Sequence, residues 1–397
     1  MTPSRQKRNL LSLNLEKILS LFFDWKIILI FILIVGFSSG LLVFSQIVKR
    51  EIELSQMPNK IRRSQPFYTK GIYLSSWTAG ESEKINQIID FIRRTGLNTV
   101  VIDIKDSTGK VAYNSKIPLV NELNTKELRI RNLTALLEKF YQHGIYTIAR
   151  IVVFQDPELA VKKPSLALKD RRSGKIWRDY KNLAWVDPAS EEVWTYNVAL
   201  AKEAFELGFD EVNFDYVRFP SDGDTNRIVY PFWDGRTEKS EIIRRFFEYQ
   251  KIHLEKYGPR SIDLFGLTLW HIEDGFDMNI GQKLVNTLPY FDYICPMVYP
   301  SHYPANFEGF INPAQHPYEV IYRSLIKAKP LLGRQAQLKN DGRAYIRPWL
   351  QVFDLGAKYN SVMIKEEIRA VEEASGYGWI LWNARNDYSE VEVVFKK

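Results

Sequence analysis

The sequence is poor in cysteine and histidine, and it lacks the motifs that mark several common chemistries. Its single cysteine, Cys295, cannot form a disulfide within the chain. None of the five histidines falls in an HxH or HExxH arrangement, which argues against a zinc hydrolase site. We therefore predict no metal and no cofactor, although a Mg²⁺ or Ca²⁺ site made of carboxylates alone stays open.

Two further motifs are missing from the chain after residue 70. No GxSxG elbow occurs there, so a Ser-His-Asp hydrolase has no starting point. No glycine-rich fingerprint follows the first predicted strand, which weakens the case for a dinucleotide-binding sheet.

The net charge of +7 comes from the N-terminal part of the chain. Residues 1–70 hold eleven Lys/Arg and four Asp/Glu, whereas the rest of the chain holds 43 residues of each sign. Charge therefore does not indicate a phosphate-tracking surface on the globular part, and we predict no nucleic-acid partner. A local basic patch stays open.

One long apolar run, IILIFILIVGFSSGLLVFSQIV at 27–48, carries no charge. As a helix it would span about 33 Å, which is enough for a hydrocarbon core of about 30 Å. Lys26 precedes the run and Lys49 and Arg50 follow it, as at the two interfaces of a membrane span. We predict a transmembrane anchor. A cleaved signal peptide is the alternative, but the leader before the run is long for one.

The predicted organisation is a basic cytoplasmic tail at 1–26, a transmembrane anchor at 27–48, a polar linker at 49–67 and a globular domain at 68–397. Positive charge on the two sides of the anchor is nearly equal, and large domains can translocate despite such charge. We predict a single-pass protein of the cell membrane, with its globular domain on the extracytoplasmic side.

Strand-like and helix-like segments alternate through the globular part. The predicted strands are 70–77, 98–106, 145–154, 209–217, 262–270, 291–299, 346–353 and 378–384, with helices near 82–95, 126–143 and 190–207. Eight strands with intervening helices predict a (β/α)₈ TIM barrel. An open doubly wound sheet is the alternative.

The fourth predicted strand, in FDEVNFDYVRFPSDG, places polar residues on one of its two faces. Side chains alternate along a strand, so Glu211, Asn213 and Asp215 share a face opposite the apolar residues between them. On the second strand, Asp103 and Lys105 share a face in the same way. Polar side chains at the carboxyl ends of barrel strands are typical of active sites, so we expect Asp103 and Asp215 to face one cavity. A structural ion pair at the barrel rim is the alternative.

The ends of the other strands add groups suited to sugar binding. Aromatic rings contact the apolar faces of sugars, and polar groups bind hydroxyls. The predicted substrate-binding residues are Trp77, Lys105, Asp106, Arg150, Asn213, Arg218, Trp270, Tyr299, His302, Trp382 and Asn383. We expect Lys105 and Arg218 to hold the catalytic carboxylates ionised and to lower their pKa values.

Seven segments in this order carry a resemblance to a known family: KGIYLSSW, VVIDIKDSTGKVAY, IARIVVFQDPELA, FDEVNFDYVRFPSDG, NIGQKL, CPMVYPSHY and GWILWNARNDYS. Over roughly 68–390 the chain resembles the putative glycoside hydrolase domain family of bacteria. The resemblance implies a TIM barrel distantly similar to alpha-amylase-type glycosidases, and a location in the cell envelope. It also implies a nucleophile at the end of the fourth strand, which is Asp215 here. Chitinase-like barrels carry an acid two residues further on, where this chain has Val217.

Two functions follow from these observations. The first is a membrane-anchored glycoside hydrolase of envelope or extracellular polysaccharide, with Asp215 as nucleophile or base and Asp103, Glu273 or Asp277 as the acid. The second is a non-catalytic glycan-binding or envelope-scaffold barrel, favoured by the lack of an evident second carboxylate. A polysaccharide deacetylase or lyase has less support because the usual metal-binding histidines are missing.

Overall fold

Within the described residues, eight parallel strands close into a barrel. The structure is a computed structural model that describes residues 63–66, 68–338, 344–374 and 376–396. Each strand pairs with the next, and the last pairs with the first. The strands are β1 Thr69–Leu74, β2 Thr99–Lys105, β3 Tyr146–Val152, β4 Glu211–Asp215, β5 Arg260–Phe265, β6 Tyr293–Met297, β7 Trp349–Gln351 and β8 Gly378–Trp382. The eight predicted strands and the barrel are confirmed.

Helices alternate with the strands. They are α1 Ser76–Ala79, α2 Ser82–Thr95, α3 Pro118–Glu122, α4 Leu133–Gln142, α5 Pro157–Lys162, α6 Glu191–Leu207, α7 Lys239–Leu254, α8 Leu284–Thr287, α9 Pro317–Leu338, α10 Ser361–Glu373 and α11 Ser389–Phe395. The predicted helices near 82–95 and 190–207 are α2 and α6. The helix predicted near 126–143 begins later, because the side chain of Asn132 accepts the N–H of Ala135 at 3.0 Å and caps α4.

Alternation along the strands separates two apolar layers. Val100, Ile102 and Ile104 of β2 belong to the large cluster of buried residues that includes the buried faces of the helices. Val101 belongs instead to a smaller cluster with Tyr146 and other strand residues that face the barrel interior. The polar residues at alternate positions of β4 belong with this interior layer, as predicted from the two-residue period.

Lys105 departs from the expected pattern. The pairing of β2 with β3 shifts register between Asp103 and Lys105. The Nζ atom of Lys105 lies 2.6 Å from Oδ2 of Asp156, and both side chains are fully buried. The expectation that Lys105 holds a catalytic carboxylate is therefore wrong, because Lys105 is ion-paired with Asp156, the N-cap residue of α5.

A long excursion connects α5 to α6 beside the carboxyl end of the barrel. Isolated bridges join Ala167 to Val186 and Lys169 to Ile176. A two-residue strand, Lys169–Asp170, pairs antiparallel with Ile228–Val229 from the connection that follows β4. The excursion is thus tied to the loop that follows Asp215.

The predicted tail at 1–26 and anchor at 27–48 lie outside the described residues. Among the helices that are described, none is long and apolar enough to cross a bilayer. Of the predicted linker at 49–67, Arg63 forms an ion pair with Asp210 at 2.9 Å, and Gln65 accepts a hydrogen bond from the Tyr293 hydroxyl at 3.0 Å.

Candidate active site

A cavity of about 720 Å³ opens at the carboxyl end of the barrel strands. Six of the residues predicted from the sequence line it. They are Arg150, Asp215, Arg218, Tyr299, His302 and Trp382. The cavity therefore lies where active sites of this architecture are found.

Asp215 is the last residue of β4, and its carboxylate is held by two donors. Its Oδ1 atom accepts the backbone N–H of Tyr216 at 2.6 Å, and its Oδ2 atom forms an ion pair with the guanidinium of Arg150. Tyr216 has a φ of 54°, a left-handed conformation that is uncommon for a residue other than glycine. This conformation turns the chain sharply after the strand and fixes the direction of the carboxylate.

Asp263 on β5 is the carboxylate that the sequence prediction missed. It lines the same cavity and is 1% exposed. Its Oδ1 atom accepts hydrogen bonds from Asn213 at 2.8 Å and from the indole of Trp349 at 2.7 Å. The predicted fifth strand begins at 262, and the sequence prediction took its candidate acids from the loop that follows that strand. Applying the two-residue period to β5, as to β4, would have placed Asp263 inside the barrel.

The two carboxyl groups lie side by side on neighbouring strands. The pairing of β4 with β5 matches Asn213 with Ser261 and Phe214 with Ile262. The next residues with the same orientation are Asp215 and Asp263. Asp215 is ion-paired with the Arg150 guanidinium and Oδ2 of Asp263 lies 3.9 Å from its Nε atom, so these carboxyl groups are close neighbours.

Burial and the negative charge of Asp215 raise the pKa of Asp263 well above its ordinary value. Arg150, Asn213 and Trp349 oppose that rise by stabilising the carboxylate form. The raised pKa suits Asp263 to the role of proton donor, and the direct ion pair with Arg150 suits Asp215 to the role of carboxylate. Two carboxyl groups in such different environments are what acid-and-nucleophile chemistry requires.

Arg150 connects three acids beneath the cavity. Its Nη1 atom donates to Asp103 at 2.5 Å, its Nη2 atom binds Asp215, and its Nε atom lies 3.9 Å from Asp263. The guanidinium lies 5.0 Å from the ring centre of Trp382. Arg150 thus performs the charge pairing that had been expected of Lys105 and Arg218.

Asp103 faces the barrel interior as predicted, but it does not line the cavity. It accepts hydrogen bonds from the Tyr73 hydroxyl at 2.5 Å and from Arg150 at 2.5 Å. Burial raises the pKa of its carboxyl group, while Arg150 and Tyr73 act in the opposite direction. Asp103 lies behind Arg150 and positions it.

Glu273 and Asp277, the other candidates for the acid, lie outside the cavity lining. Glu273 is exposed in the connection that follows β5, and Asp277 accepts the backbone N–H of Asn279 at 3.0 Å within that connection. Neither residue therefore shares a cavity with Asp215.

The remaining predicted binding residues also lie outside the cavity lining. Trp77 covers the guanidinium of Arg129, and Asp106 forms an ion pair with that same guanidinium. The indole of Trp270 donates to Ser324 at 2.9 Å. Asn213 lies under Asp263, and Asn383 donates to the carbonyl of Val352.

The aromatic rings of Trp349, Trp382 and Tyr299 form part of the cavity wall, and Trp349 meets Trp382 edge-on at 5.5 Å. Outside the lining, Tyr73 packs 4.0 Å from Trp382 and Phe353 packs 5.5 Å from Tyr299. This wall offers flat apolar contact beside carboxyl groups, which is the combination that a sugar ring requires. In the described part of the chain, no group of three or more His, Cys, Asp or Glu residues could hold a metal ion.

Comparison with known proteins places the chain in a family. Residues 71–388 match the family model described as "Putative glycosyl hydrolase domain". No curated protein matches the chain.

Solved structures agree on the fold. A hypothetical protein from Ruminiclostridium thermocellum is 41% identical, with 48% of this chain and 96% of that chain covered at a TM-score of 0.45. The glycoside hydrolase domain of PgaB from Bordetella bronchiseptica is 11% identical, with 83% and 99% covered at a TM-score of 0.57. An endo-1,4-beta-D-mannanase from Thermotoga petrophila is 12% identical, with 82% and 92% covered at a TM-score of 0.51. The last two show a shared barrel.

Proposed function

The chain belongs to the putative glycosyl hydrolase domain family, and from this premise we propose that it is a membrane-anchored glycosidase of envelope or extracellular polysaccharide. The observation that carries the proposal is the pair Asp215 and Asp263, which lie on adjacent strands and line one cavity. One is ion-paired and the other has a raised pKa, so the two can serve as nucleophile and acid.

In the first step, a carboxylate oxygen of Asp215 forms a bond to the anomeric carbon. The glycosidic C–O bond breaks, and the leaving oxygen takes the proton of Asp263. Positive charge develops on the sugar ring in the transition state, where the carboxylate of Asp215 stabilises it, joined by Asp263 as its proton leaves. The N–H of Tyr216 and the guanidinium of Arg150 hold Asp215 in place.

In the second step, Asp263 accepts a proton from a water molecule whose oxygen bonds to the anomeric carbon. The bond from that carbon to Asp215 breaks, and both carboxyl groups return to their starting forms. Asn213 and the indole of Trp349 donate to Oδ1 of Asp263, so they stabilise the carboxylate formed between the two steps.

The proposed location rests on the sequence. The apolar run at 27–48 would anchor the chain, and the neutral globular part would lie on the extracytoplasmic side, where polysaccharide is found. The alternative of a glycan-binding scaffold was motivated by a missing second carboxylate, and Asp263 supplies that group.

The proposal is tested with the full-length protein, purified in mild detergent because of the predicted anchor. We expect it to release reducing ends from at least one member of a panel of envelope and extracellular polysaccharides. Two results together would instead indicate a scaffold. The folded protein would bind a glycan of the panel without releasing reducing ends, and the Asp215→Asn variant would bind that glycan with the same affinity.

We also predict hydrolysis with retention of anomeric configuration. Retaining enzymes hold their two carboxyl groups about 5–5.5 Å apart and inverting enzymes about 6.5–9.5 Å apart. Asp215 is ion-paired with Arg150, and Oδ2 of Asp263 lies 3.9 Å from Nε of the same guanidinium, a closeness that favours retention. Proton NMR of the first product formed measures this directly. An inverted first product would require a water molecule between the two groups and would exclude the covalent step on Asp215.

A further inference from the structure

Granted the proposed glycosidase function, on which this rests, we infer that the substrate is an anionic polysaccharide that bears carboxylate, sulfate or phosphate groups. Its charged units would lie against Arg218 in the cavity and along an adjoining basic groove. The groove is lined by four basic residues, two acids and several uncharged groups: Lys169, Asp170, Ser173, Gly174, Lys175, Ile176, Trp177, Arg178, Tyr180, Gly223, Asp224 and Arg227.

Arg218 is a buried cation that forms no ion pair, although Asp222, Asp215 and Asp179 act on its charge from a greater distance. It is 4% exposed, and no carboxylate oxygen of the described residues lies within 4.0 Å of its guanidinium. Each of the other buried arginines in the described residues has a carboxylate within 3.6 Å: Arg129, Arg150, Arg260 and Arg347. Burying an unpaired charge is costly, and an arginine side chain does not lose its proton in proteins. An anion supplied from outside would remove that cost.

Packing presents Arg218 to the cavity. Its guanidinium lies 4.9 Å from the ring centre of Trp185, 5.1 Å from that of Tyr216 and 4.8 Å from that of Phe265. Its Nη1 atom donates to the carbonyl of Phe219 and to the Ser221 hydroxyl, both at 3.1 Å. Three rings and two hydrogen bonds therefore hold a planar donor that suits bidentate binding of a carboxylate or a phosphate.

A second basic residue, Lys181, lines the cavity with Arg218. Burial and the charge of Lys181 lower the pKa of His302, which also lines the cavity, so His302 adds a neutral hydrogen-bonding group and no positive charge. Asp222 also lines the cavity, but it is exposed and beyond ion-pairing distance of Arg218. The cavity therefore holds two basic groups, Arg218 and Lys181, that form no ion pair with a described carboxylate, together with the catalytic carboxyl pair.

Beyond the cavity the positive charge continues. Tyr180 lines both the cavity and the basic groove, which has a volume of about 790 Å³. Its ring is 83% exposed, as an aromatic platform for a sugar would be. Segment 169–181 contains six Lys/Arg and two Asp/Glu, although the chain after residue 70 is balanced.

Both acids of this segment are already engaged. Asp170 forms an ion pair with Arg227 at 2.6 Å and accepts the backbone N–H of Arg172 at 2.9 Å. Asp179 accepts the indole N–H of Trp185 at 3.0 Å and backbone N–H groups. No carboxylate of the described residues lies within 4.0 Å of Lys169, Lys175 or Arg178. With Asp170 and Arg227 paired, the groove lining keeps three cations, Lys169, Lys175 and Arg178, against one exposed acid, Asp224, and so presents a net positive charge to a bound polymer.

The test measures binding of soluble polymers to full-length Asp215→Asn protein, so that hydrolysis does not interfere. The probes are polygalacturonate, its methyl-esterified neutral form, a sulfated glucan, a phosphorylated glucan, chitosan and single-stranded DNA of mixed sequence. We expect at least one anionic glycan to bind about tenfold or more tightly than the neutral and cationic polymers, with an affinity that falls as salt is added. The three anionic arms distinguish which charged group is recognised.

Charge reversal locates the interaction. Lys175→Glu/Arg178→Glu should weaken binding of that glycan about tenfold or more, whereas Arg93→Glu/Lys256→Glu, at exposed positions that precede β2 and β5, should leave it unchanged. Arg218→Gln should weaken it too if circular dichroism shows a folded protein. If that variant does not fold, the groove variant decides.

Equal binding of the neutral and anionic glycans would overturn the inference, as would equal losses in the groove and control variants. DNA bound as tightly as the best glycan would overturn it in favour of a nucleic-acid surface. Salt-dependent binding of an anionic glycan by a protein that hydrolyses nothing would keep the anionic-glycan binding site and exclude the proposed hydrolysis. Rapid hydrolysis of a neutral polymer without any charge preference would confirm the glycosidase and overturn the inference of an anionic substrate.

Discussion

Replacing Asp215 by asparagine is expected to reduce kcat/KM for polysaccharide hydrolysis by about 10³-fold or more, because the substitution removes the oxygen that attacks the anomeric carbon. The shape of the side chain is kept, and Arg150 retains its contact with Asp103. Binding of substrate should therefore survive. Release of reducing ends and thermal unfolding, measured on the same preparation, separate loss of chemistry from loss of fold.

Asp277→Asn and Glu273→Gln are the matched controls. Both residues were candidates for the acid in the sequence, and both lie outside the cavity lining. We expect each variant to keep activity within about threefold of the parent, as surface substitutions usually do. Activity of Asp215→Asn equal to that of the parent would remove Asp215 from the mechanism. A large loss in Asp277→Asn would move the acid to the connection after β5.

The barrel was predictable because the sequence shows two hydrophobic periods, the two-residue alternation of strands and the 3.6-residue repeat of helices. Each strand is a short apolar run between turn residues, and the helices between them bury apolar positions such as Ile85, Ile89 and Ile92 of α2. Alternation on β4 was enough to predict that Asn213 and Asp215 face inward. A register shift cannot be read from one strand alone, and this is why Lys105 was assigned to the wrong partner.

The site was only partly predictable because its contacts join residues far apart in the chain. Arg150 was expected to bind hydroxyls, yet it binds two acids from β2 and β4. Asp263 was passed over because a carboxyl group inside an apolar strand has no evident partner until Asn213 and Trp349 are brought beside it. The single useful signal was that Asp263 lies at one of the alternate positions of β5 whose side chains face the barrel interior.

Replacing Asp263 by asparagine is expected to reduce kcat/KM on polysaccharide by about 10²–10⁴-fold, because a general acid contributes roughly that factor. The loss should be much smaller on an aryl glycoside with a good leaving group, since such a group departs without a proton. The asparagine can keep the hydrogen bonds from Asn213 and Trp349 through its carbonyl oxygen. Comparing the two substrates separates the missing proton from damage to the cavity. Asp103→Asn is the contrasting variant, because Asp103 contacts Arg150 rather than the cavity and should slow both substrates alike.

The pH profile gives the same assignment a second test. The acid acts only while it is protonated, so the alkaline side of the profile should fall as pH rises through the raised pKa of Asp263. In Asp263→Asn, the alkaline fall should vanish from the profile measured with the activated substrate. A fall that persists in this variant would belong to another group, and equal losses on both substrates would make Asp263 a structural residue. We expect Asp103→Asn to keep the loss of activity at high pH and Asp263→Asn to lack it. This pair of results would place the transferable proton on β5, beside the nucleophile on β4.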